Sequence, residues 1–398
     1  MTSQAPAPAS EDQPEYGLIA VAATGHFLND AMGNVYPVLI PLMMTPLHLT
    51  LVAAALVTTA NRMSQSLLQP FIGRFTDRGS RLSLVLPAAL GIGAVTTGLL
   101  PFTGTAWLFL ALTLVAGAAN AAFHPPALTW VRSIGGTRRG RSTSLFLVAG
   151  NLGRAVAPLV LGALAIGLGA ASIAWLSLPA LLLAFWYLRR LRAYRVGVAG
   201  GGGGGEEMPA FGLIRRRFGD TVSLLAMTSA RATLVNAIIV LVPIAYRVAG
   251  EPIYLGAAVV GVLLLAGSFG NVAGGTLSDL MPRQWVVVVG ALASVAALVG
   301  FLLTHGVASL VFVALTGLFG MSTTSVTMVI GQEIFPESVG MASGIALGLG
   351  NAVAAALVAL LSVLAGVTSV TVALLVAGAI ALLAVPAAVR HRRAAAQA

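Results

Sequence analysis

The sequence predicts an all-α integral membrane protein, with twelve transmembrane helices in two pseudo-symmetric six-helix bundles. Composition is the first observation behind this reading. Of 398 residues, 58% are hydrophobic and only 9% are charged, against about 25% charged in a typical soluble domain. So few charges cannot cover the surface of a soluble fold of this length. The second observation is twelve apolar runs, each near the ~20 residues that cross a bilayer core as a helix. The third is an internal repeat at an offset of about 200 residues, the mark of a duplicated body.

The runs lie near 17–43, 49–72, 82–102, 106–130, 143–168 and 172–190, then near 220–246, 254–276, 285–304, 308–331, 340–366 and 369–389. Residues 1–16 hold Glu11, Asp12 and Glu15 and no arginine. They lack the basic flank of a signal peptide and read as a disordered tail. Between the sixth and seventh runs stand Arg189, Arg190, Arg192 and Arg195, six consecutive glycines from Gly200 to Gly205, then Arg215, Arg216 and Arg217. Polyglycine has no side chains to pack and behaves as a flexible spacer. The chain therefore divides into a bundle over 17–190, a cytoplasmic Gly/Arg-rich linker over 191–218, a second bundle over 219–390 and a tail over 391–398.

Arginine placement sets the orientation. Cytoplasmic loops carry the excess of basic residues in multi-pass proteins. With the N-terminus inside, the loops after the second, fourth and eighth runs, the linker and the C-terminus hold eighteen of the 22 arginines. Only Arg247 falls outside, and Arg62, Arg154 and Arg231 fall within runs. Both termini are expected in the cytoplasm, in the inner membrane of a bacterium or archaeon.

The composition also excludes chemistries. The chain has no cysteine and no lysine, which removes disulfides, thiolate metal sites, the P-loop lysine and lysine Schiff bases. No His-Glu-x-x-His, Gly-x-Ser-x-Gly or cluster of acids suggests an intramembrane enzyme. No cofactor or metal is expected. The net charge of +10 sits in short loops between apolar runs, which argues against nucleic acid. The expected partners are a small-molecule substrate, protons and lipid, with the chain acting as a monomer.

The repeat is specific. Gly73-Arg-Phe-Thr-Asp77-Arg78-Gly-Ser-Arg81 follows the second run and Gly275-Thr-Leu-Ser-Asp279-Leu-Met-Pro-Arg283 follows the eighth. Gly150-Asn151 in the fifth run is echoed by Gly350-Asn351 in the eleventh. The Gly-x-x-x-Asp-Arg-x-x-Arg loop resembles the signature loop of the major facilitator superfamily, over essentially the whole chain. Gly25-His26-Phe27-Leu28-Asn29-Asp30 with Pro37 and Pro41, Phe123-His124-Pro125, and Ser144 to Gly153 are similar to the fosmidomycin-resistance branch. Ser80 stands where that loop usually has glycine, Ala157-Pro158 replaces a glycine-proline pair, and Thr113 sits where many drug/proton antiporters carry arginine. The last two departures weigh against proton antiport.

Charges in a bilayer cost about 2.5–3.5 kcal/mol each even on insertion scales, so they are functional candidates. Asp30 lies mid-run with His26 one turn earlier on the same face. It could bind protons, or it could form a permanent ion pair with Arg62 that only locks two helices. Arg62 shares its stripe with Gln65, Arg154 follows Asn151 by a turn, and Arg231 precedes Asn236 by five residues. The planar guanidinium suits phosphate, phosphonate or carboxylate. Three intramembrane arginines against one aspartate favour an anionic or zwitterionic ligand. His124, before Pro125 and Pro126, is a proton relay or a structural histidine, and the prolines should kink or end its helix. Asn351 and Asn120 are candidates for interhelical hydrogen bonds.

Gly73, Asp77, Arg78 and Arg81, with Gly275, Asp279 and Arg283, read as two gating loops. The family resemblance implies that they latch the bundles on the cytoplasmic face. Glu333, ahead of Pro336, reads as a gate or helix cap. Together these features suggest proton-coupled efflux of a small organic anion or zwitterion, with proton-coupled uptake of an organic anion as the alternative.

Overall fold

The computed structural model of the chain describes residues 13–76, 82–136, 139–191, 214–335 and 344–395. The loop residues Asp77, Arg78 and Arg81, the first twelve residues and the polyglycine segment lie outside the described residues, as do the side chains of residues 69–82 and of Asp279. No strand occurs among the described residues. Within hydrocarbon every backbone N–H and C=O must be satisfied inside its own segment, which leaves the helix as the local solution.

In the first half the helices are α1 (Tyr16–Gly33), α2 (Tyr36–Met43), α3 (Leu51–Thr76), α4 (Leu82–Leu99), α5 (Ala106–Ile134), α6 (Arg139–Leu168) and α7 (Ser172–Arg190). In the second half they are α8 (Phe218–Val248), α9 (Ile253–Leu280), α10 (Arg283–Leu303), α11 (Gly306–Ile334), α12 (Gly350–Val367), α13 (Val370–Ala381) and α14 (Ala384–Ala395). A π-helical turn, Gly344–Leu349, leads into α12. Among the described residues every apolar run is thus helical, and the first and last are each split in two.

Among the described residues, nine helical stretches are long and apolar enough to cross a membrane, and Leu145–Arg190 contains most of α6 and all of α7. The first two runs are not among the nine. α1 and α2 are separated by a break, and α3 carries Asn61, Arg62 and Gln65 in mid-helix.

The break has a local cause. Pro37 has no N–H to return to the Gly33 carbonyl, so α1 stops at Gly33 and α2 restarts with proline in its first turn, where a missing donor costs least. Pro125 and Pro126 do not end their helix: α5 runs through them to Ile134. Neighbouring helices and side-chain hydroxyls can re-satisfy backbone that prolines free in a membrane helix.

The buried apolar residues fall into three clusters. One joins both halves, including Val38, Ala55 and Leu161 with Ile238, Val260 and Leu361. A second belongs to the first half alone, including Leu86, Phe123, Trp130 and Phe146. A third belongs to the second half alone, including Leu224, Val287, Ile330 and Ala388. The shared cluster uses the ends of α2, α6, α8 and α12 that are remote from the arginine-rich segments. The two separate clusters adjoin those segments. Contacts between halves on that shared side include Gly162 facing Ala257, Gly366 facing Val52, and Arg247 Nη2 donating to Thr45 Oγ1 at 3.4 Å. The bundles share a core on the arginine-poor side. On the other side each has its own core, and the π-helical turn packs against α3 and α8.

Candidate functional site

Asp30 is the centre of the site. It lies near the C-terminal end of α1 and is 5% exposed. His124 Nε2, from α5, lies 3.0 Å from Asp30 Oδ1. His26 Nε2, one turn earlier on α1, lies 3.4 Å from Oδ2. Arg154 Nε, from α6, is also 3.4 Å from Oδ2, and Asn29 Nδ2 donates to Oδ1 at 3.2 Å. The carboxylate is gripped by three helices of one bundle.

The imidazoles are fixed from behind. His26 Nδ1 lies 2.7 Å from the Phe146 carbonyl, and the ring stacks on Phe146 with centroids 4.0 Å apart. His124 Nδ1 lies 2.9 Å from the Asn120 carbonyl. α6 can lie this close to α1 because of two glycines. A Cβ on Gly150 would fall 2.4 Å from the His26 ring, and one on Gly153 would fall 2.1 Å from the Phe27 carbonyl oxygen.

Burial grades outward across the cluster. The side chain of Asp30 is 6% exposed, that of His124 27% and that of Arg154 40%. Arg154 also donates through Nη2 to Asn151 Oδ1. It therefore contacts the acid on one side and open space on the other.

Arg62 does not pair with Asp30, so the suggested permanent ion pair between them is replaced by a different arrangement. Its Nη2 donates to Asn34 Oδ1 at 2.7 Å, and Asn34 Nδ2 donates to the Arg154 carbonyl at 2.8 Å. Gln65 donates to Asn61 Oδ1 at 2.6 Å, and Asn61 in turn donates to Tyr36 Oη and to the Thr113 carbonyl, both at 2.9 Å. From the other half, Arg231 on α8 lies near enough to Arg154 for the two like charges to repel. Its Nε is buried without a hydrogen-bond partner among the described residues. Arg62, Arg154 and Arg231 thus form one positive region bordering Asp30.

Asn236, on α8, and Asn351, at the start of α12, are half-buried. In the candidate gates, Arg283 Nη1 donates to Glu333 Oε1, an ion pair between the start of α10 and the end of α11. Gly275 lies in α9 beside Ser325. Gly73 lies in α3.

His26, Asp30 and His124 bring their ligand atoms within 4.8 Å of one another, which is the spacing of a possible metal site. A metal cation there would sit against the guanidinium that already neutralises Oδ2.

Several site residues were not anticipated. Asn29, Asn34 and the Phe146 carbonyl complete the cluster. Asn34 lies four positions after Asp30, as His26 lies four before, so the stripe was visible in the spacing. Phe146 accepts from His26 through its main-chain carbonyl, a contact that leaves no sequence signal. Asn120 donates to the Asn29 carbonyl at 2.9 Å, an interhelical hydrogen bond of the expected kind.

Residues 22–357 match the family model described as Major Facilitator Superfamily. The chain is 28% identical over 369 residues to the "Uncharacterized MFS-type transporter YfnC" of Bacillus subtilis (strain 168), covering 84% of this chain and 83% of that one. It is 26% identical over 385 residues to the "Fosmidomycin resistance protein" of Escherichia coli (strain K12), covering 92% and 90%. Its fold superposes on the nucleoside transporter NupG with a TM-score of 0.78 at 13% identity, covering 94% of this chain and 99% of that one.

Proposed function

Because the chain belongs to the major facilitator superfamily of membrane transporters, we propose that it is a secondary active transporter coupling proton movement at Asp30 to export of a small anionic or zwitterionic organic compound. The observation that carries this reading is Arg154. One guanidinium contacts the buried acid at 3.4 Å and repels an arginine of the opposite bundle. A ligand acid bound between Arg154 and Arg231 would touch both bundles, and an ammonium on the same ligand would compete with protons for Asp30. Rocking of the two bundles about that ligand is the alternating access expected of duplicated transporter folds.

The likeness to a fosmidomycin resistance protein supports export of such a compound and supplies a probe. Fosmidomycin is a phosphonate, and a phosphonate suits a guanidinium fork.

A second reading has its own observation. Three intramembrane arginines face one aspartate, so an anion and protons would stabilise each other in the site. That coupling gives symport, and hence uptake of an organic carboxylate, phosphate or phosphonate. A zwitterion restores competition, because its ammonium would seek Asp30.

Proteoliposomes separate the two. Fosmidomycin uptake into right-side-out vesicles should be driven by an inside-acid gradient if protons are exchanged for substrate. Uptake driven only by an outside-acid gradient would overturn export and establish symport. Uptake indifferent to both would end the proton-coupled reading.

A further inference from the structure

We propose that the corner where α8 meets α14 binds the headgroup of an anionic phospholipid, whose acyl chains lie along the apolar flank of the same two helices. This surface is separate from the Asp30 site, and its ligand does not depend on what is transported.

Two segments far apart in the chain bring arginines to the corner. Arg215 and Arg216 stand just ahead of α8, Arg390 lies in α14, and all three are exposed. Arg390 does not simply extend away from its own helix. Its Nη2 lies 2.7 Å from where a Cβ on Gly219 would sit. Gly219, in the first turn of α8, thus leaves a notch that seats the guanidinium. Arg215 and Arg216 precede Gly219 by four and three positions, at most about 14 Å of extended chain. The three long side chains can therefore close on one phosphate, the anion that guanidinium forks suit best.

These cations are not used within the fold. Among the described residues none of the three takes part in a hydrogen bond or an ion pair. Arg217, next in the chain, is already engaged, because it donates to the Ile334 carbonyl. Asp220 is the nearest described acid in sequence, and it has an interaction of its own. Four arginines against one acid leave the corner positive.

Depth selects the kind of anion. One apolar span begins at Phe218 and another ends at Arg390. The arginines therefore stand where hydrocarbon gives way to headgroups. Beside and beneath them Phe218 and Val222 of α8, and Leu383 and Val389 of α14, are exposed. An apolar flank topped by unpaired guanidinium groups fits an amphiphile with an anionic head, and basic pockets between membrane helices hold such headgroups. A soluble phosphate would use the forks and ignore the flank.

The test is native mass spectrometry of full-length protein released from micelles with equal amounts of phosphatidylglycerol and phosphatidylcholine. The wild type should retain phosphatidylglycerol in preference by about tenfold or more. Arg215→Gln/Arg216→Gln/Arg390→Gln should retain the two lipids alike. Gly219→Ala, whose Cβ meets only the Arg390 guanidinium, should lower the preference. Arg189→Gln/Arg190→Gln, at the exposed end of α7, should leave it unchanged. Equal retention by the wild type overturns the proposal. So does a preference that survives the triple variant, or one that falls as far in the α7 pair, since either would mean diffuse basic charge and not a built corner. Displacement of the lipid by an equal concentration of inorganic phosphate would reassign the corner to a soluble anion. Glu206 and Glu207 precede Arg215 by nine and eight positions, outside the described residues. Preference seen only in Glu206→Gln/Glu207→Gln would show that the linker's own acids occupy the arginines, and would overturn it too. If the triple variant does not fold, the wild type and Gly219→Ala decide.

Discussion

Asn34 ties two arginines of one bundle together: its Oδ1 accepts from Arg62 Nη2 at 2.7 Å while its Nδ2 donates to the Arg154 carbonyl at 2.8 Å. The residue sits in the gap between α1 and α2, where Pro37 has stopped the first helix. The C-cap residue of α1 thus supplies the amide that holds the Arg62 guanidinium and the Arg154 main chain. Asn34→Ala would free Arg62 and remove a charge-assisted hydrogen bond worth about 1.5–3 kcal/mol. The expected result is a lower unfolding temperature in detergent and weaker fosmidomycin binding. A double-mutant cycle with Arg62→Ala should show coupling on the order of 1 kcal/mol, and additive losses would mean that the contact contributes nothing.

Arg154 is the residue on which substrate binding should depend most. Arg154→Ala leaves Asp30 without its guanidinium and the arginine region without its exposed member. Fosmidomycin binding should weaken by about tenfold or more, a loss of about 1.4 kcal/mol or greater. Arg154→Lys should recover little, because a point charge does not reproduce the planar fork. Calorimetric titration of purified protein measures both, and full affinity in either variant would remove Arg154 from the binding site.

The fold was legible because bilayer burial leaves coarse marks: twelve apolar runs, arginines sorted to one side, and a duplicated Gly-Asp-Arg loop. His26 and Asp30 were legible from four-residue spacing on one helix. Their partners were not. His124 and Arg154 reach Asp30 from α5 and α6, across 94 and 124 positions of chain, and helix docking is not written in periodicity. The suggested Asp30–Arg62 pairing failed for that reason. Charge complementarity named a plausible partner, but packing placed α6 and not α3 against the acid.

Gly153 tests how tightly that docking is set. A Cβ there would lie 2.1 Å from a main-chain oxygen of Phe27, which cannot swing aside as a side-chain tip could. Gly153→Ala should push α6 from α1, separate Arg154 from Asp30, and cost about 1–3 kcal/mol through overpacking. Thermal unfolding and fosmidomycin transport should fall together. A variant with wild-type stability would show that the two helices are less closely packed than described.

The absence of cysteine from the chain makes orientation directly measurable. Single cysteines at Ser3 and Gln397 should resist membrane-impermeant maleimide in intact cells and react after lysis. Labelling of both in intact cells would invert the topology drawn from the arginine distribution.

The shared core on the arginine-poor side predicts where motion can be arrested. Gly162 on α6 faces Ala257 on α9, and a Cβ built on the glycine comes within 2.6 Å of the alanine Cβ. A disulfide requires Cβ atoms about 3.5–4.5 Å apart, so a modest relaxation of these helices admits one. The double variant Gly162→Cys/Ala257→Cys should crosslink under mild oxidation and hold the bundles together on that side. If transport proceeds by rocking, the core that joins Val38 and Leu161 to Ile238 and Val260 must part in every cycle. The oxidised protein should then still bind fosmidomycin from the arginine-rich side but fail to move it, and reduction should restore transport. Undiminished transport by fully crosslinked protein would mean that this interface never opens. The substrate path would then lie elsewhere than between the bundles.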